Sequence, residues 1–458
     1  MNKNEQPILL SVISIALIAF LGILAETALN IAYAVLMPEL SVSAAIIQWL
    51  TTGYLLTLSS LIPLSPLLIR KFCTRRLFQS AVWISFSGTL LCGLSQNFPL
   101  LLTGRIIQAI GTSIALPLMV TLILEKIPAN RRGKVMGIVG LVTSFAPALG
   151  PVFGGIIMEY GNWHWIFFLM LPFLLISFII GSRNIPDIHK NEPARTDFLS
   201  MLLSTTAFVG IVYGVSSSAA AGWTDAMVLT CLAVGSICLL LFIRRQLSLE
   251  KPLLELRVFR FPMFTIGVFI VILSMLLVLS AGFILPLYLQ NSLGCTSFLA
   301  ALAMLPGALI NGIMSPLTGR WLDANGPKGL LRTGSFLVAA MTAIFAFISV
   351  SFFQLLLVYA IFMFGASMLA MPAQTNGLNQ LPAKYNADGS AVINTLQQVS
   401  GAIGTAFASS IFSSAKSSFE AAGGSSLSAS SLYGSQTTFA ALLCFALACA
   451  FISLFARR

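Results

Sequence analysis

Ala146-Pro147-Ala148-Leu149-Gly150-Pro151-Val152-Phe153-Gly154-Gly155 is the stretch on which the reading of this chain turns. Its two prolines remove backbone donors and bend a helix. Gly150 and Gly154, four residues apart, leave one helical face smooth enough for a second helix to approach closely. Taken alone, this is a packing device of a membrane helix. Its meaning depends on what surrounds it.

The apolar run that holds it, 134–158, is one of many. Runs of the roughly 17–25 residues needed to cross a bilayer lie near 8–32, 46–69, 78–95, 100–124, 134–158, 165–183, 198–217, 226–243, 263–289, 298–318, 331–350, 352–373, 389–414 and 436–455. The first is too long for the core of a signal peptide and has no small-residue exit, so it reads as an uncleaved helix. Of the 458 residues, 57% are apolar and 9% charged, against about 25% charged in a soluble domain. Such a chain cannot cover itself for water, and lipid is its solvent. The fold expected is an all-α polytopic membrane protein of fourteen transmembrane helices. The Ser-, Gly- and Ala-rich stretch near 415–435 reads as a flexible external loop.

The net charge of +11 would suggest nucleic acid in a soluble protein. Here it reports topology, because Lys and Arg collect on the cytoplasmic side. With the N-terminus inside, all of the 25 basic residues fall in cytoplasmic segments except Lys416, outside, and Arg105, within the membrane. One helix more or fewer would spoil that pattern. Both termini are therefore expected in the cytoplasm. The seven cysteines are scattered without a CxxC pair and read as small hydrophobes.

Of the fourteen acidic residues, Glu26 alone lies well inside an apolar run. A charge at mid-helix costs roughly 2.5–3.5 kcal/mol on insertion scales. It is therefore expected to face protein or a wet cavity, where a carboxyl can load and release a proton. The plainer reading is a hydrogen-bonded Glu that merely packs or snorkels outward. Arg105 is the one base within a span, with Gln108 on the same face. Arg keeps its proton, so Arg105 is either a fixed charge acting on a nearby acid or an anchor for backbone carbonyls.

Four segments resemble the major facilitator superfamily, in its fourteen-helix drug:proton antiporter (antiporter-2) branch. Gly150-Pro151-Val152-Phe153-Gly154-Gly155 is similar to the antiporter motif G-P-x-x-G-G. Arg105, Gln108 and Gly111 match R-x-x-Q-G-x-G, with Ala109 in place of its first glycine. Trp163-His164-Trp165-Ile166-Phe167 resembles W-R-W-I-F. Gly319-Arg320-Trp321-Leu322-Asp323-Ala324-Asn325-Gly326-Pro327-Lys328 resembles the G-x-L-a-D-r-x-G-r-k loop after the second helix of each half. The first-half copy, Pro66 to Arg75, departs from the pattern. Arg70 stands where the aspartate is expected, and Pro66 and Cys73 replace both glycines, which puts the usual charge contact between the halves in doubt. In the first run, Ala25 takes an aspartate position and the acid comes one residue later, about 100° around the helix. Glu26-Thr27-Ala28-Leu29-Asn30 resembles the lincosamide-exporter-like multidrug subgroup.

The resemblance implies two six-helix bundles plus two inserted helices: 1–190, 191–260 for the insertion, and 261–458. It implies a central cavity lined by helices 1, 4, 9 and 12, with Glu26 and Arg105 coupling protons. Asn30, Tyr33, Gln108, Met368, Met371, Gln374, Asn394, Gln397 and Gln398 are candidates for the substrate. Each is equally readable as packing or interhelical hydrogen bonding. Gly150, Pro151, Gly154, Gly155, Gly319, Asp323 and Gly326 are the conformational motifs. The fifth helix should touch the tenth, which carries Pro306, Gly307, Gly312 and Pro316, and the second should meet the thirteenth at Gly401 and Gly404. The function implied is proton-coupled efflux of small amphipathic drugs or toxic compounds across the cytoplasmic membrane, by alternating access, with a monomer as the unit. The alternative is an exporter or facilitator of an endogenous metabolite or lipid-like compound without proton coupling. No G-x-S-x-G, H-E-x-x-H or P-loop motif occurs, and His164 and His189 lie in separate segments. No enzyme, metal, cofactor or nucleic-acid partner is expected.

Overall fold

A backbone in lipid must satisfy its polar groups within itself. In the computed structural model, which describes residues 6–42, 44–47, 49–187, 197–250, 252–422 and 426–457, it does so as helix, and no strand forms among the described residues. The long helical stretches are α1 Gln6–Glu39, α2 Trp49–Lys71, α3 Thr74–Gly93, α4 Phe98–Lys126, α5 Arg132–Tyr160, α6 His164–Asn184 and α7 Phe198–Ala221. They continue with α8 Ala226–Ser248, α9 Pro262–Ser292, α10 Ser297–Asn325, α11 Pro327–Phe347, α12 Phe352–Asn379, α13 Asn386–Ala421 and α14 Leu427–Ser453. They occupy the expected positions. Eleven are long and apolar enough to cross a membrane, or twelve when α5 is counted across its bend. The more polar α3 and α13 fall short of that measure.

Local chemistry sets the ends and breaks. Asn97 accepts from the Leu100 N–H, Asp225 from Met227 and Val228, and Thr296 from Leu299, each closing a helix start. Pro372 cannot donate to the carbonyl four residues back and crowds it, so α12 breaks at Met368–Leu369. The expected loop near 415–435 is mostly helix instead. α13 runs to Ala421 and α14 starts at Leu427, with 423–425 outside the described residues. Ala is a strong helix former. The serines turn inward to carbonyls four residues back, as Ser418 does to Ser414 and Ser435 to Ser431.

Hydrogen bonds sort the connections onto two ends. At the end rich in basic residues, Arg70 meets Leu253 and Asp388, Arg132 meets Asn379, Asp323 meets Gly133, and Arg332 meets the Leu454 carbonyl. At the opposite end, Trp163 donates to Glu39, Tyr288 to the Val350 carbonyl and Ser428 to the Ser292 carbonyl. His189, Lys190, Arg195 and Lys251 lie outside the described residues.

The pair α7–α8 packs against itself through Gly210 and Gly235. It is clamped by Arg245, which donates to both oxygens of Asp197 at 2.8 and 3.0 Å. These hydrogen bonds hold the Asp197 carboxyl down at about 2. A depressed carboxyl adds stability that is full above its unfolded value, 3.8, and is lost only as pH falls through about 2. The pair leans on α2 and α13, where Leu56, Phe208, Val212 and Val399 form a small apolar core and Trp49 stacks on Tyr213.

The α5–α10 joint is close, with Gly312 against Phe145 and Pro316 against Gly137 as expected of α10, but Gly307 faces Tyr359 and the α5 glycines at the joint are Gly133 and Gly137. A Cβ on Gly319 would lie 2.0 Å from the Gly133 carbonyl oxygen, and one on Gly137 2.5 Å from Pro316 Cα. Gly150 and Gly154 instead face α1. Their Cβ atoms would meet Thr27 Oγ1 at 1.8 Å and the Ala28 carbonyl oxygen at 2.6 Å. A Cβ on Gly155 would meet nothing within 4 Å among the described residues. Gly401 and Gly404 face Leu279 and Leu276 of α9 rather than α2. A small-residue stripe requires a close neighbour without choosing which. Gly319→Ala should therefore cost about 1–3 kcal/mol, read as a lower melting temperature in detergent, whereas Gly155→Ala should melt like the parent. Equal melting of the two variants would contradict this geometry. Gly326, between α10 and α11, has φ +80°, a conformation that favours glycine.

Candidate functional site

Glu26 sits one turn beyond Gly22 on the same face of α1. A Cβ on Gly22 would meet Tyr54 Oη at 2.5 Å and Thr112 Oγ1 at 2.6 Å, so this face packs directly on α2 and α4. Ala25, in the position where the resemblance expects an aspartate, is fully buried. The one-residue shift leaves Glu26 partly exposed. Among the described residues its carboxylate makes no hydrogen bond or ion pair within 4.0 Å. Arg105 nonetheless lies within direct electrostatic reach of it.

Arg105 is fully buried. Its Nη1 donates to Gln108 Oε1 at 2.5 Å, and Gln108 Nε2 donates to Thr89 Oγ1 at 3.0 Å. The guanidinium carbon lies 4.2 Å from the centre of the Tyr54 ring, a cation–π contact in a dry setting. Tyr54 Oη donates to Thr112 Oγ1 at 3.2 Å. Arg105 Nε and Nη2 are buried and find no hydrogen-bond partner among the described residues. This arrangement suits a fixed charge held beside an acid. It does not show a guanidinium anchoring backbone carbonyls, since the bond goes to a side chain.

Tyr33 shares a hydrogen bond of 2.5 Å with Thr51, further along α1. The side chains of Asn30 and Pro151 lie outside the described residues. On α13, Ser390 donates to the Pro117 carbonyl of α4 at 3.4 Å, and Asn394 donates to the Ser390 carbonyl at 2.8 Å. Ser390, Asn394 and Gln397 recur at helical spacing on one face, and Gln397 and Gln398 are partly exposed. The rise of a helix puts them about 12 Å beyond the Ser390 contact, toward the level of Gln108. Met371 packs on Gly140 of α5. Gln374 is buried, and its Oε1 has no hydrogen-bond partner among the described residues. Met368 is elsewhere: it joins Leu322 and Leu330 in a separate apolar cluster, under Thr333 and Gly334 of α11.

Tyr54, Thr89 and Thr112 complete the Arg105 setting, and nothing in the sequence marked them. Each is an unremarked polar residue inside an apolar run. Asp323 accepts from the Gly133 and Lys134 N–H groups at 2.8 and 2.9 Å.

Residues 15–405 match the model of the Major Facilitator Superfamily. The chain belongs to this superfamily. Major facilitators are multi-pass membrane transporters of small molecules and not enzymes. The chain is 45% identical over 455 residues to the lincomycin resistance protein LmrB of Listeria monocytogenes serovar 1/2a, covering 97% of this chain and 96% of that one. It is 45% identical over 403 residues to LmrB of Bacillus subtilis, covering 87% and 84%. The human organic anion transporter MFSD10 superposes with a TM-score of 0.70 at 13% identity, over 99% of this chain and all of that one, which shows the shared fold. Drug resistance transporters of this superfamily are thus the setting in which Glu26 and Arg105 are to be understood.

Proposed function

We propose that this chain exports small amphipathic drugs, lincosamides among them, across the cell membrane in exchange for protons, with Glu26 as the proton carrier. The observation that carries the reading is a carboxylate inside an apolar helix that has no hydrogen bond or ion pair among the described residues, is partly exposed, and lies within electrostatic reach of the buried Arg105. A fixed positive charge next to an acid makes proton loading and substrate binding mutually dependent. Arg105, Tyr54 and Gln108 hold the acid's surroundings. Tyr33, Asn394, Gln397 and Gln398 supply polar contacts to substrate, with Met371 as an adaptable apolar one. The domains are 1–190, 191–260 and 261–458, with fourteen spans, both termini cytoplasmic and a monomer as the working unit. Among the described residues, Arg70–Asp388, Arg132–Asn379 and Asp323–Gly133 join the first and last six helices at the basic end.

The test is resistance. Cells lacking their own exporters should tolerate several-fold more lincomycin when they express this chain, and a protonophore should remove the difference. Resistance that survives the protonophore would overturn proton coupling. Absence of resistance alongside accumulation of other drugs would move the substrate class.

A further inference from the structure

Two joints at the basic end correspond by position. In one, the last turn of α10 supplies Asp323 to the bare N–H groups that start α5. In the other, the end of α2 meets the start of α13, and the charges are exchanged. Arg70 stands on α2 and Asp388 lies in the first turn of α13. Arg70 Nη1 donates to Asp388 Oδ2 at 3.4 Å, while its Nη2 donates to the carbonyls of Leu253 at 3.0 Å and Pro252 at 3.4 Å. The Glu255 N–H donates to Asp388 Oδ1 at 2.9 Å. Glu255 is itself paired with Arg257 at 3.4 Å. The Asp388 side chain is 1% exposed and that of Arg70 28%.

A helix start carries partial positive charge and favours an anion. The first joint meets that requirement with an aspartate from the partner segment. In the second, a cation has taken the partner position, which is unfavourable against a helix start unless an acid stands between them. Asp388 is that acid, and the linker between α8 and α9 accepts from Arg70 Nη2. The three parts of the chain thus converge on one buried carboxylate.

We propose that Arg70, Asp388 and the backbone of residues 252–255 form a polarity-inverted gate joint: Asp388 is the positioning residue that holds α2 to α13 while the basic end is closed, and the linker of the inserted pair is part of the gate. This rests on the proposed export, taken as alternating opening of the two ends, and not on its substrate or its proton carrier.

Ser390 reports the joint. It is fully buried two residues from Asp388 and touches Pro117. The experiment measures the rate at which a polar maleimide labels Ser390→Cys in nanodiscs, where both faces are reached, in a background with the native cysteines replaced. Asp388→Asn and Arg70→Ala should each speed labelling about tenfold, the scale of coupling within one charge network. Arg70→Asp alone should do the same, since two carboxylates then face each other. Arg70→Asp combined with Asp388→Asn should restore the slow parental rate, because the acid is back on the α2 side, facing the α13 start as Asp323 faces α5. Parental labelling in the single variants overturns the joint. A double variant that labels as fast as the singles overturns the inversion, since a merely structural loss is not repaired by a second change. Should Asp388→Asn fail to fold, Arg70→Ala and the double variant decide by the same thresholds. No substrate or gradient enters this readout, so failure of proton coupling leaves it standing, and failure of the joint leaves the Glu26 account intact.

Discussion

Glu26→Gln should abolish export driven by a proton gradient while leaving substrate binding measurable. Gln keeps the size of Glu and much of its hydrogen-bonding capacity, but it cannot carry a proton. One charge crossing 100 mV is worth about 2.3 kcal/mol, enough for roughly 50-fold accumulation, and all of that drive is lost with the carrier. The variant should equilibrate substrate at best. Wild-type affinity for a cationic ligand should rise with pH, because the carboxylate attracts a cation and the protonated acid does not. Glu26→Gln should bind with no such dependence, and Glu26→Asp should retain part of the transport with the pH dependence intact. Accumulation by Glu26→Gln at the wild-type rate would remove Glu26 from the mechanism. Asp197 and Asp323 are poor substitutes. One is clamped by Arg245 and the other is spent on the start of α5.

Gly154→Leu should inactivate the protein more completely than its surroundings suggest. An added Cβ would meet backbone, the Ala28 carbonyl oxygen at 2.6 Å, and backbone cannot swing away as a side chain can. At Gly150 the obstacle is Thr27 Oγ1, with the Ala28 nitrogen behind it at 3.0 Å. Either substitution pushes α5 from α1 within one or two residues of Glu26. Overpacking of this kind costs about 1–3 kcal/mol, and a displacement of about an ångström at the acid is costly for function. Transport should fall at least tenfold in Gly154→Leu, while the amount of protein inserted in the membrane stays near that of the parent. Gly155→Leu is the control and should transport normally. Parallel loss of inserted protein and transport in Gly154→Leu would reduce the motif to a packing element.

The helices and Glu26 were legible in the sequence for the same reason: an apolar run of bilayer length is conspicuous, and so is an acid inside it. Arg105 stood out likewise. Tyr54 did not, because a tyrosine in an apolar run looks the same whether or not a guanidinium lies over its ring. The glycines announced close approach, yet the partner of Gly150 and Gly154 proved to be α1, with α10 reached through Gly133 and Gly137 instead. Choice of partner is a tertiary property. Asp388 gave no signal, since an acid in the first turn of a helix is ordinary. Its pairing with Arg70 spans 318 positions along the chain. Arg70 was legible only as a departure from a motif, and the structure supplies the compensating change.

The central claim is that substrate and proton move against each other through one site. Purified protein in liposomes, with the interior made acidic and a pH-sensitive dye inside, tests it most directly. Adding lincomycin outside should discharge the pH gradient, at a rate that saturates with drug concentration, as drug enters and protons leave. The same discharge should be absent with Glu26→Gln. Drug uptake that proceeds equally with and without the gradient, and leaves the dye unchanged, would contradict the account.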